Sequence, residues 1–192
     1  MEKALKKKSW NRGKKMEEIT QETIIQHAND KLYLMQALAD RDTAALLEFV
    51  SEELRNDKEL VLQAVQHNGI ALEFASDALK ADKEVILAAV KDVGWVICYS
   101  SEKLKDDKQV LLEAVKKDGQ ALYYASEKLR DDEEVVTQAV KNKGLIYKYA
   151  SKRLRADKEI ALLAIQNDKR AKGYIAEELK ADEEFQKLLE EN

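Results

Sequence analysis

The side chains that could carry chemistry in this sequence are two histidines, one cysteine, several acidic runs and a recurring serine. His27 and His67 stand apart, and neither belongs to an H-E-x-x-H motif or to a His/Cys spacing that would bind a metal ion. The acidic residues at 106–107 and 131–134 lack the alternating oxygen ligands of a calcium-binding loop. We therefore expect no metal site and no cofactor. We interpret the histidines as surface residues and the acids as helix caps and solvated charges.

Two kinds of nucleophile remain, the recurring serine and the single cysteine. A serine nucleophile needs a neighbouring base, and no histidine accompanies the serines, so we interpret them as small residues that permit close packing. Cys98 cannot form an intrachain disulfide, and its nearby cations along the chain are Lys103 and Lys105. We expect an inert thiol in a reducing cytoplasm. The sequence contains no G-x-G-x-x-G motif and no P-loop, and we predict that the protein is not an enzyme.

A repeat of 25 residues positions these side chains, because one pattern of residue types returns without a gap from Leu47 onward. We number the positions of each repeat from 1 to 25. The copies occupy residues 47–71, 72–96, 97–121, 122–146 and 147–171, and a shorter last copy, the C-terminal cap, occupies residues 172–192. Residues 20–46 contain a degenerate unit, with Asp30, Ala37 and Leu38 at repeat positions, which we interpret as an N-terminal cap.

Three positions of the repeat indicate where helices begin and end. Aspartate at position 11 can accept an orphan backbone N–H and so begin a helix. Lysine or arginine at position 9 suits the last turn of the preceding helix, and glycine at position 23 suits a left-handed residue that ends a helix. Position 11 is occupied by Asp57, Asp82, Asp107, Asp132, Asp157 and Asp182, position 9 by Arg55, Lys80, Lys105, Arg130, Arg155 and Lys180, and position 23 by Gly69, Gly94, Gly119 and Gly144. The recurring serines stand at position 5 and are Ser51, Ser76, Ser101, Ser126 and Ser151.

These signals divide each repeat into two helices, and apolar residues cover a broad arc of both. So broad an arc means that each helix packs against its partner and against the equivalent helix of the next repeat. The sequence therefore predicts an all-α fold. We expect a right-handed α-solenoid, a superhelical array of about six two-helix repeats with capping helices at both ends.

One copy shows the whole pattern. Residues 122–144 read Leu-Tyr-Tyr-Ala-Ser-Glu-Lys-Leu-Arg-Asp-Asp-Glu-Glu-Val-Val-Thr-Gln-Ala-Val-Lys-Asn-Lys-Gly. The order of leucine, Ala-Ser, Leu-Arg, aspartate, Ala-Val and glycine resembles the tandem repeats of the domain-of-unknown-function 4116 family, and the resemblance extends from Leu47 to Asp182. It implies a helical repeat array. It implies no activity, because that family has no agreed biochemical role.

Charge is unevenly distributed along the chain. The first 15 residues carry seven lysines and arginines against Glu2, a net +6, so the remaining residues carry −10 of the total of −4. We interpret residues 1–19 as a flexible basic arm. The acidic remainder argues against nucleic acid as the main partner, because phosphates require cations. No run of 18 apolar residues is present, so we expect no membrane span, and we expect a monomer.

The positions that vary between copies are the candidates for function. Positions 24 and 2 lie on the predicted water-facing arc, three residues apart and hence on one helix face. Ile70, Trp95, Cys98, Tyr123 and Leu145 would form an apolar strip there. We predict a non-catalytic scaffold that presents this strip to an unidentified protein or peptide. In the competing interpretation, Trp95 and Leu145 fold back under the preceding glycine turns and are partly buried.

A second functional hypothesis is single-stranded nucleic-acid binding, because helical repeats can read one base per unit. It would use the basic column at position 9 together with the basic arm. Acids at position 6 of most copies lie beside that column and would neutralise it.

Overall fold

The computed structural model describes the backbone of residues 7–8 and 18–191 and the side chains of residues 19–190. Strand β1 (Lys7–Lys8) pairs antiparallel with strand β2 (Glu18–Ile19). The rest of the predicted basic arm lies outside the described residues. All other regular structure in the described part is helical, and none of the helices described there is long and apolar enough to cross a membrane.

Three short helices form the N-terminal cap: α1 (Gln21–Gln26), α2 (Lys31–Ala37) and α3 (Arg41–Ala44). After the cap, a 3-10 helix, a four-residue α-helix and a longer α-helix follow one another six times. In chain order they are η1 (Ala45–Phe49), α4 (Glu52–Arg55) and α5 (Lys58–His67); η2 (Gly69–Phe74), α6 (Asp77–Lys80) and α7 (Lys83–Asp92); η3 (Gly94–Tyr99), α8 (Glu102–Lys105) and α9 (Lys108–Lys117); η4 (Gly119–Tyr124), α10 (Glu127–Arg130) and α11 (Glu133–Asn142); η5 (Gly144–Tyr149), α12 (Lys152–Arg155) and α13 (Lys158–Asn167); and η6 (Lys169–Tyr174), α14 (Glu177–Lys180) and α15 (Glu183–Glu191).

The chain divides into two compact units, Met1–Ser101 and Glu102–Asn192, and each unit stacks consecutive repeats side by side. In the first unit η2 packs between η1 and η3, and α5 packs on α7. In the second unit η5 packs between η4 and η6, and α11 packs between α9 and α13. Each unit therefore has a row of 3-10 helices and a row of long α-helices packed on it. This is the arrangement of an α-solenoid, and the predicted all-α repeat architecture is confirmed.

The core of each unit lies between these two rows. Positions 14, 15, 18 and 19 of the long helix point into it, a spacing of one helical stripe. Positions 25 and 1 of the 3-10 helix meet them from the other row. The fully buried residues include Leu60, Val61, Ala64, Val65, Ala71 and Leu72 in the first unit, and Val135, Val136, Ala139, Val140, Ala121 and Leu122 in the second. Each large side chain in this stripe contributes about 1.5–3 kcal/mol through burial.

Each repeat contains three helical segments, so the predicted two helices per repeat are wrong in number. The predicted first helix is interrupted at positions 4 and 5, where Ala75 and Ser76 are extended (φ −66°, ψ 156° and φ −63°, ψ 157°). There the Ser76 N–H donates to the carbonyl of Arg55 in the preceding repeat at 3.1 Å. Its hydroxyl accepts from the N–H of Leu79 at 3.3 Å and donates to Asn56 at 2.6 Å. The hydroxyls of Ser51, Ser76, Ser126 and Ser151 are N-caps, so the interpretation of these four serines as packing residues is wrong, whereas the hydroxyl of Ser101 is buried without a hydrogen-bond partner.

The aspartate at position 11 begins the long helix in every copy, as the sequence predicted. Its carboxylate accepts the backbone N–H three residues later at 2.8–3.2 Å. The pairs are Asp57–Leu60, Asp82–Val85, Asp107–Val110, Asp132–Val135, Asp157–Ile160 and Asp182–Phe185. In the N-terminal cap Asp30 begins α2 in the same way, through the N–H of Tyr33 at 3.0 Å. The interpretation of Asp30 as a repeat aspartate is confirmed.

The glycines do not end helices in a left-handed conformation, so this prediction is wrong. At Gly69, Gly119 and Gly144 the φ angle lies outside the left-handed region, and α5 ends instead at the extended residue Asn68 (φ −148°, ψ 103°). Each of the three glycines is buried against the long helix of the next repeat. A Cβ on Gly69 would lie 2.5 Å from the carbonyl oxygen of Ala89. Glycine is needed because it lets the two backbones touch.

The N–H groups of these glycines bond to a side chain at position 21 of the next repeat, which sequence reasoning overlooked. Asn142 accepts from the N–H of Gly119 at 2.8 Å and donates to the carbonyl of Lys116 at 3.0 Å. Asn167 forms the equivalent pair of bonds one repeat later. In the first unit the carboxylate of Asp92 accepts from the glycine N–H of the 47–71 copy at 3.0 Å. The position thus satisfies backbone groups that packing would otherwise leave buried and unpaired.

The close glycine contact predicts the effect of adding a single methyl group. In Gly144→Ala the new Cβ would lie 2.5 Å from the carbonyl oxygen of Ala164 and 2.8 Å from the backbone nitrogen of Asp168, neither of which can swing away. We expect a loss of about 1–3 kcal/mol in the free energy of unfolding, measured by urea titration. Gly173→Ala is the matched control, because no heavy atom lies within 4 Å of its Cβ. Equal stability of the two variants would contradict the role assigned to the glycine.

Candidate binding surface

The histidines are not arranged for catalysis or metal binding. His27 is half-buried, stacks on Tyr33 with ring centroids 4.0 Å apart, and its Nδ1 lies 2.9 Å from the carbonyl oxygen of Thr23. His67 is exposed at the end of α5. Across residues 18–191 no three His, Cys, Asp or Glu side chains converge to form a possible metal site. These contacts give His27 a structural role in the N-terminal cap.

The acidic residues at positions 11 and 13 belong to an inter-repeat ladder of ion pairs. A lysine at position 12 reaches forward to both acids of the next repeat, with N–O distances of 2.6–2.9 Å. The rungs are Lys31 with Asp57 and Glu59, Lys58 with Asp82 and Glu84, Lys108 with Asp132 and Glu134, and Lys158 with Asp182 and Glu184. Each lysine thus links two repeats across the start of their long helices.

Hydrogen bonds within the ladder shift the pKa values of its members. The pKa of Lys58 is raised by its hydrogen bond with Asp82 and then by that with Glu84. Burial of the Asp82 carboxylate opposes its ionisation, but hydrogen bonds from Lys58 and from two backbone N–H groups outweigh burial and lower its pKa. The pKa of Asp57 is lowered chiefly by its hydrogen bond with Lys31. Asp57 and Asp82 are therefore held in the charged form.

One rung of the ladder is missing in the second unit. The 122–146 copy carries Glu133 at position 12, so the acids of the next copy, Asp157 and Glu159, form no ion pair within the described part of the chain. An open, polar depression at this point is lined by Lys108, Asp132, Glu133, Glu134, Thr137 and Gln138. Its one lysine is already paired with two of those acids. The depression is a solvated stretch of the ladder without an unpaired cation.

Three of the six residues of the basic column at position 9 are engaged by the protein itself. Lys105 pairs with Glu102 and Lys180 pairs with Glu177, both at 2.7 Å. Arg130 donates from Nε to the carbonyl of Ala125 at 2.9 Å. The remaining members, Arg55, Lys80 and Arg155, are half-buried. Half of the column is therefore bonded within the protein, whereas Arg55, Lys80 and Arg155 form no ion pair within the described residues.

The five residues of the predicted strip lie on 3-10 helices, two in the second unit and three in the first. Ile70, Trp95 and Cys98 are half-buried in the first unit, where the indole of Trp95 lies 6.0 Å from the ring of Tyr99. Positions 24 and 2 are three residues apart, which is one full turn of a 3-10 helix, so they share a face. Trp95 and Leu145 are half-buried rather than fully buried, so the apolar strip and the competing, partly buried arrangement both stay predictions.

In the second unit the strip residue Tyr123 belongs to a larger aromatic group. Leu145 is half-buried on η5, and 50% of Tyr123 is exposed. The Tyr123 ring packs edge-to-face with two neighbours, with centroids 5.0 Å from Tyr124 and 4.9 Å from Tyr149. Aromatic pairs in this geometry contribute about 0.5–1.5 kcal/mol beyond burial. The exposed ring is therefore held in place before any partner arrives.

A lysine completes this group. The ammonium of Lys148 lies 4.8 Å from the ring centroid of Tyr149 and 6.0 Å from that of Tyr174, within the range of a cation–π interaction. We call Tyr123, Tyr124, Lys148, Tyr149 and Tyr174 the tyrosine–lysine cluster. It spans the adjacent helices η4, η5 and η6, and 38% of Tyr174 is exposed. Arg170 lies close enough to Tyr174 for the two to interact electrostatically.

Sequence reasoning found Tyr123 but missed the other members of the cluster. The aromatic residues at position 3 were not among the predicted binding residues. In the 3-10 helices, position 3 is half-buried in most copies and contacts position 2 of the preceding copy, as Tyr149 does with Tyr123. The signal that could have revealed the cluster is the run of tyrosines at positions 2 and 3 in successive copies.

The cluster consists of four tyrosines and one lysine. Its only titratable groups are phenols and one ammonium, and no carboxylate or imidazole base belongs to it. Aromatic side chains that are exposed yet fixed are typical anchors of protein interfaces, because they bury area at a low entropic cost.

The repeat region of the chain matches a known protein family. A family model described as a domain of unknown function (DUF4116) matches three successive segments, residues 40–80, 82–130 and 132–180. No curated protein and no solved structure matches the chain.

The lowered pKa values of the ladder acids predict how stability depends on pH. Because the pKa of Asp82 and of Asp132 is lower in the folded state, the stability they contribute is present above their unfolded pKa of about 4 and is lost as the pH falls. We expect the Tm of the wild type to fall from about pH 5 to about pH 2. In Asp82→Asn/Asp132→Asn the caps remain but the charges do not, so the fall becomes shallower. Exposed Asp77→Asn is the control and should keep the wild-type slope.

Restoring the missing rung should stabilise the second unit. In Glu133→Lys a lysine at position 12 would meet Asp157 and Glu159, as Lys108 meets its two acids in the preceding copy. We expect Tm to rise by about 1–3 °C at low salt, and the gain to shrink in about 1 M NaCl. Glu133→Gln, which removes the repulsion without adding a pair, should give a smaller rise. A lower Tm for Glu133→Lys would show that the ladder does not continue through this copy.

Proposed function

The chain belongs to the DUF4116 family, whose description assigns no activity, and we propose that this member is a non-catalytic helical-repeat scaffold that binds a protein or peptide. The observation that carries the proposal is the tyrosine–lysine cluster of the second unit. It combines an exposed, fixed tyrosine with a lysine held on neighbouring rings. We propose that it acts as a monomer in the cytoplasm, where a lone thiol such as Cys98 remains reduced.

The repeat architecture supports this function. Repeat proteins bind through laterally aligned positions that vary between copies, while the constant positions hold the array together. In this chain the constant positions are committed to caps, ion pairs and glycine contacts. Positions 24, 2 and 3 remain for a partner. Trp95 and Tyr99 of the first unit would provide a second aromatic contact on their own 3-10 helix.

The alternative function, single-stranded nucleic-acid binding, has less support from the contacts. Its proposed basic column is partly paired with acids of the same helix, as in Lys105–Glu102 and Lys180–Glu177. Nucleic-acid binding depends on free cations along the phosphate backbone. The basic arm that would assist lies mostly outside the described residues.

Selection of peptides tests the proposal directly. A display library of random 12-residue peptides is selected on the immobilised full chain, and the affinity of enriched peptides is measured by fluorescence anisotropy. Tyr123→Ala removes the exposed anchor, and we expect it to weaken binding at least tenfold, about 1.4 kcal/mol. Leu32→Ala is the matched control, because 74% of Leu32 is exposed and it lies in the N-terminal cap, away from the proposed surface in sequence.

Thermal melting by circular dichroism must first show that both variants keep the wild-type Tm. If the wild type enriches no peptide, or if enriched peptides bind Tyr123→Ala as well as wild type, the proposed binding surface is wrong.

A further inference from the structure

We infer that the partner of the tyrosine–lysine cluster is an acidic peptide segment, whose carboxylates meet Lys148 while its apolar side chains pack on Tyr123 and Tyr149. The inference rests on the proposed binding function and adds the chemistry of the partner. It follows from the unpaired ammonium of Lys148, which lies beside half-exposed tyrosines. Among the described residues of the second unit, this is where a lysine packs on tyrosine rings.

The sequence around η5 is one-sided in charge. No Asp or Glu occurs between Glu134 and Asp157. The same stretch contains six cations, Lys141, Lys143, Lys148, Lys152, Arg153 and Arg155. Position 6 shows the change most clearly: it is acidic in the five other copies and is Lys152 in this copy alone. The local field here favours a negatively charged partner, although the chain as a whole is acidic.

The protein neutralises only part of this charge. Lys152 pairs with Glu178 at 3.3 Å, and Arg153 pairs with Asp131 at 3.0 Å. Within residues 18–191 the remaining lysines of the stretch, Lys141, Lys143 and Lys148, have no carboxylate within ion-pair distance. Lys148 is also half-buried on the tyrosine rings. An ammonium that is partly desolvated and lacks a counter-ion gains a charge-assisted hydrogen bond when a carboxylate arrives.

Position 2 carries the same change in charge from copy to copy. The first two copies have Glu48 and Glu73 there, both exposed. The fourth and fifth copies have Tyr123 and Lys148. Since this position faces water in each of the first two copies and in Tyr123, it is available to a partner rather than to the core. Its residues in the second unit suit an acidic and apolar segment, whereas glutamate at the same position would repel one.

The cluster is less suited to single-stranded nucleic acid. A base needs an open ring face on which to stack, and the ring of Tyr149 is already contacted by the Lys148 ammonium and by Tyr123. Tracking a phosphate backbone also needs a continuous run of free cations. The next copy offers Arg170, but its guanidinium is paired with Asp168 at 2.7 Å. A few carboxylates can be satisfied here, whereas a run of phosphates cannot.

The test uses the peptides enriched by the full chain and compares Lys148→Glu, Lys148→Met and the wild type. We expect the enriched peptides to be rich in Asp and Glu. Lys148→Glu should weaken their binding about tenfold and Lys148→Met by less, because the first adds repulsion. Replacing the acids of one peptide by lysine should restore its affinity for Lys148→Glu. Lys187→Glu, an exposed cation on α15 with the same change in net charge, should bind within about twofold of wild type.

Three results would overturn the inference. Enriched peptides that are neutral and depend on Tyr123 but not on Lys148 would refute the acidic partner and leave the binding function intact. Peptides that depend on neither residue would refute both. A twelve-nucleotide oligothymidylate that binds more tightly than the peptides, and loses affinity in Lys148→Glu, would identify nucleic acid as the ligand. If Lys148→Glu does not fold, Lys148→Met and the salt dependence of wild-type binding replace it. Weaker binding by Lys148→Met and weaker wild-type binding at high salt would support the inference, and unchanged affinity in both would overturn it.

Discussion

The contact between a glycine at position 23 and a carbonyl oxygen of the next long helix sets the spacing of repeats within each unit. Because glycine has no Cβ, backbone meets backbone, with Ala89 facing Gly69 and Ala139 facing Gly119. The distance between repeats is therefore fixed by main-chain atoms and not by side-chain volume. So close a contact buries N–H and C=O groups, and each must find a partner. The side chain at position 21, such as Asn142, supplies those partners from the next repeat.

Polar bonds between neighbouring repeats follow from this close spacing. The serine at position 5 gives its N–H to the preceding repeat and uses its hydroxyl as an N-cap, as Ser76 does with Arg55 and Leu79. The lysine at position 12 then joins the starts of adjacent long helices. Exposed ion pairs contribute little individually. Repeated at most interfaces within each unit, however, these bonds fix the register of one repeat on the next, which apolar contacts alone would leave free to slide.

Local signals in the sequence were read correctly, and signals that depend on a partner in another repeat were not. Asp82 was predicted as a cap because its partner, the N–H of Val85, lies three residues away. Ser76 and the glycines were misread because their partners lie 20 or more residues away, where a single sequence gives no distances. The same limit hid the contact of Tyr123 with Tyr149, because the two residues lie 26 positions apart on different 3-10 helices.

The division of positions explains why binding is best assigned to the row of 3-10 helices. Positions 5, 9 to 13 and 20 to 23 take part in bonds or contacts between repeats, and positions 14, 15, 18, 19, 25 and 1 fill the core. A change at any of these disturbs the neighbouring repeat. Positions 24, 2 and 3 belong to neither set. Positions 24 and 2 vary between copies, as from Glu73 to Lys148 at position 2, whereas position 3 is aromatic in every copy. A 3-10 helix aligns positions 24 and 2 on one face, and this alignment makes neighbouring copies of them a continuous surface within the second unit.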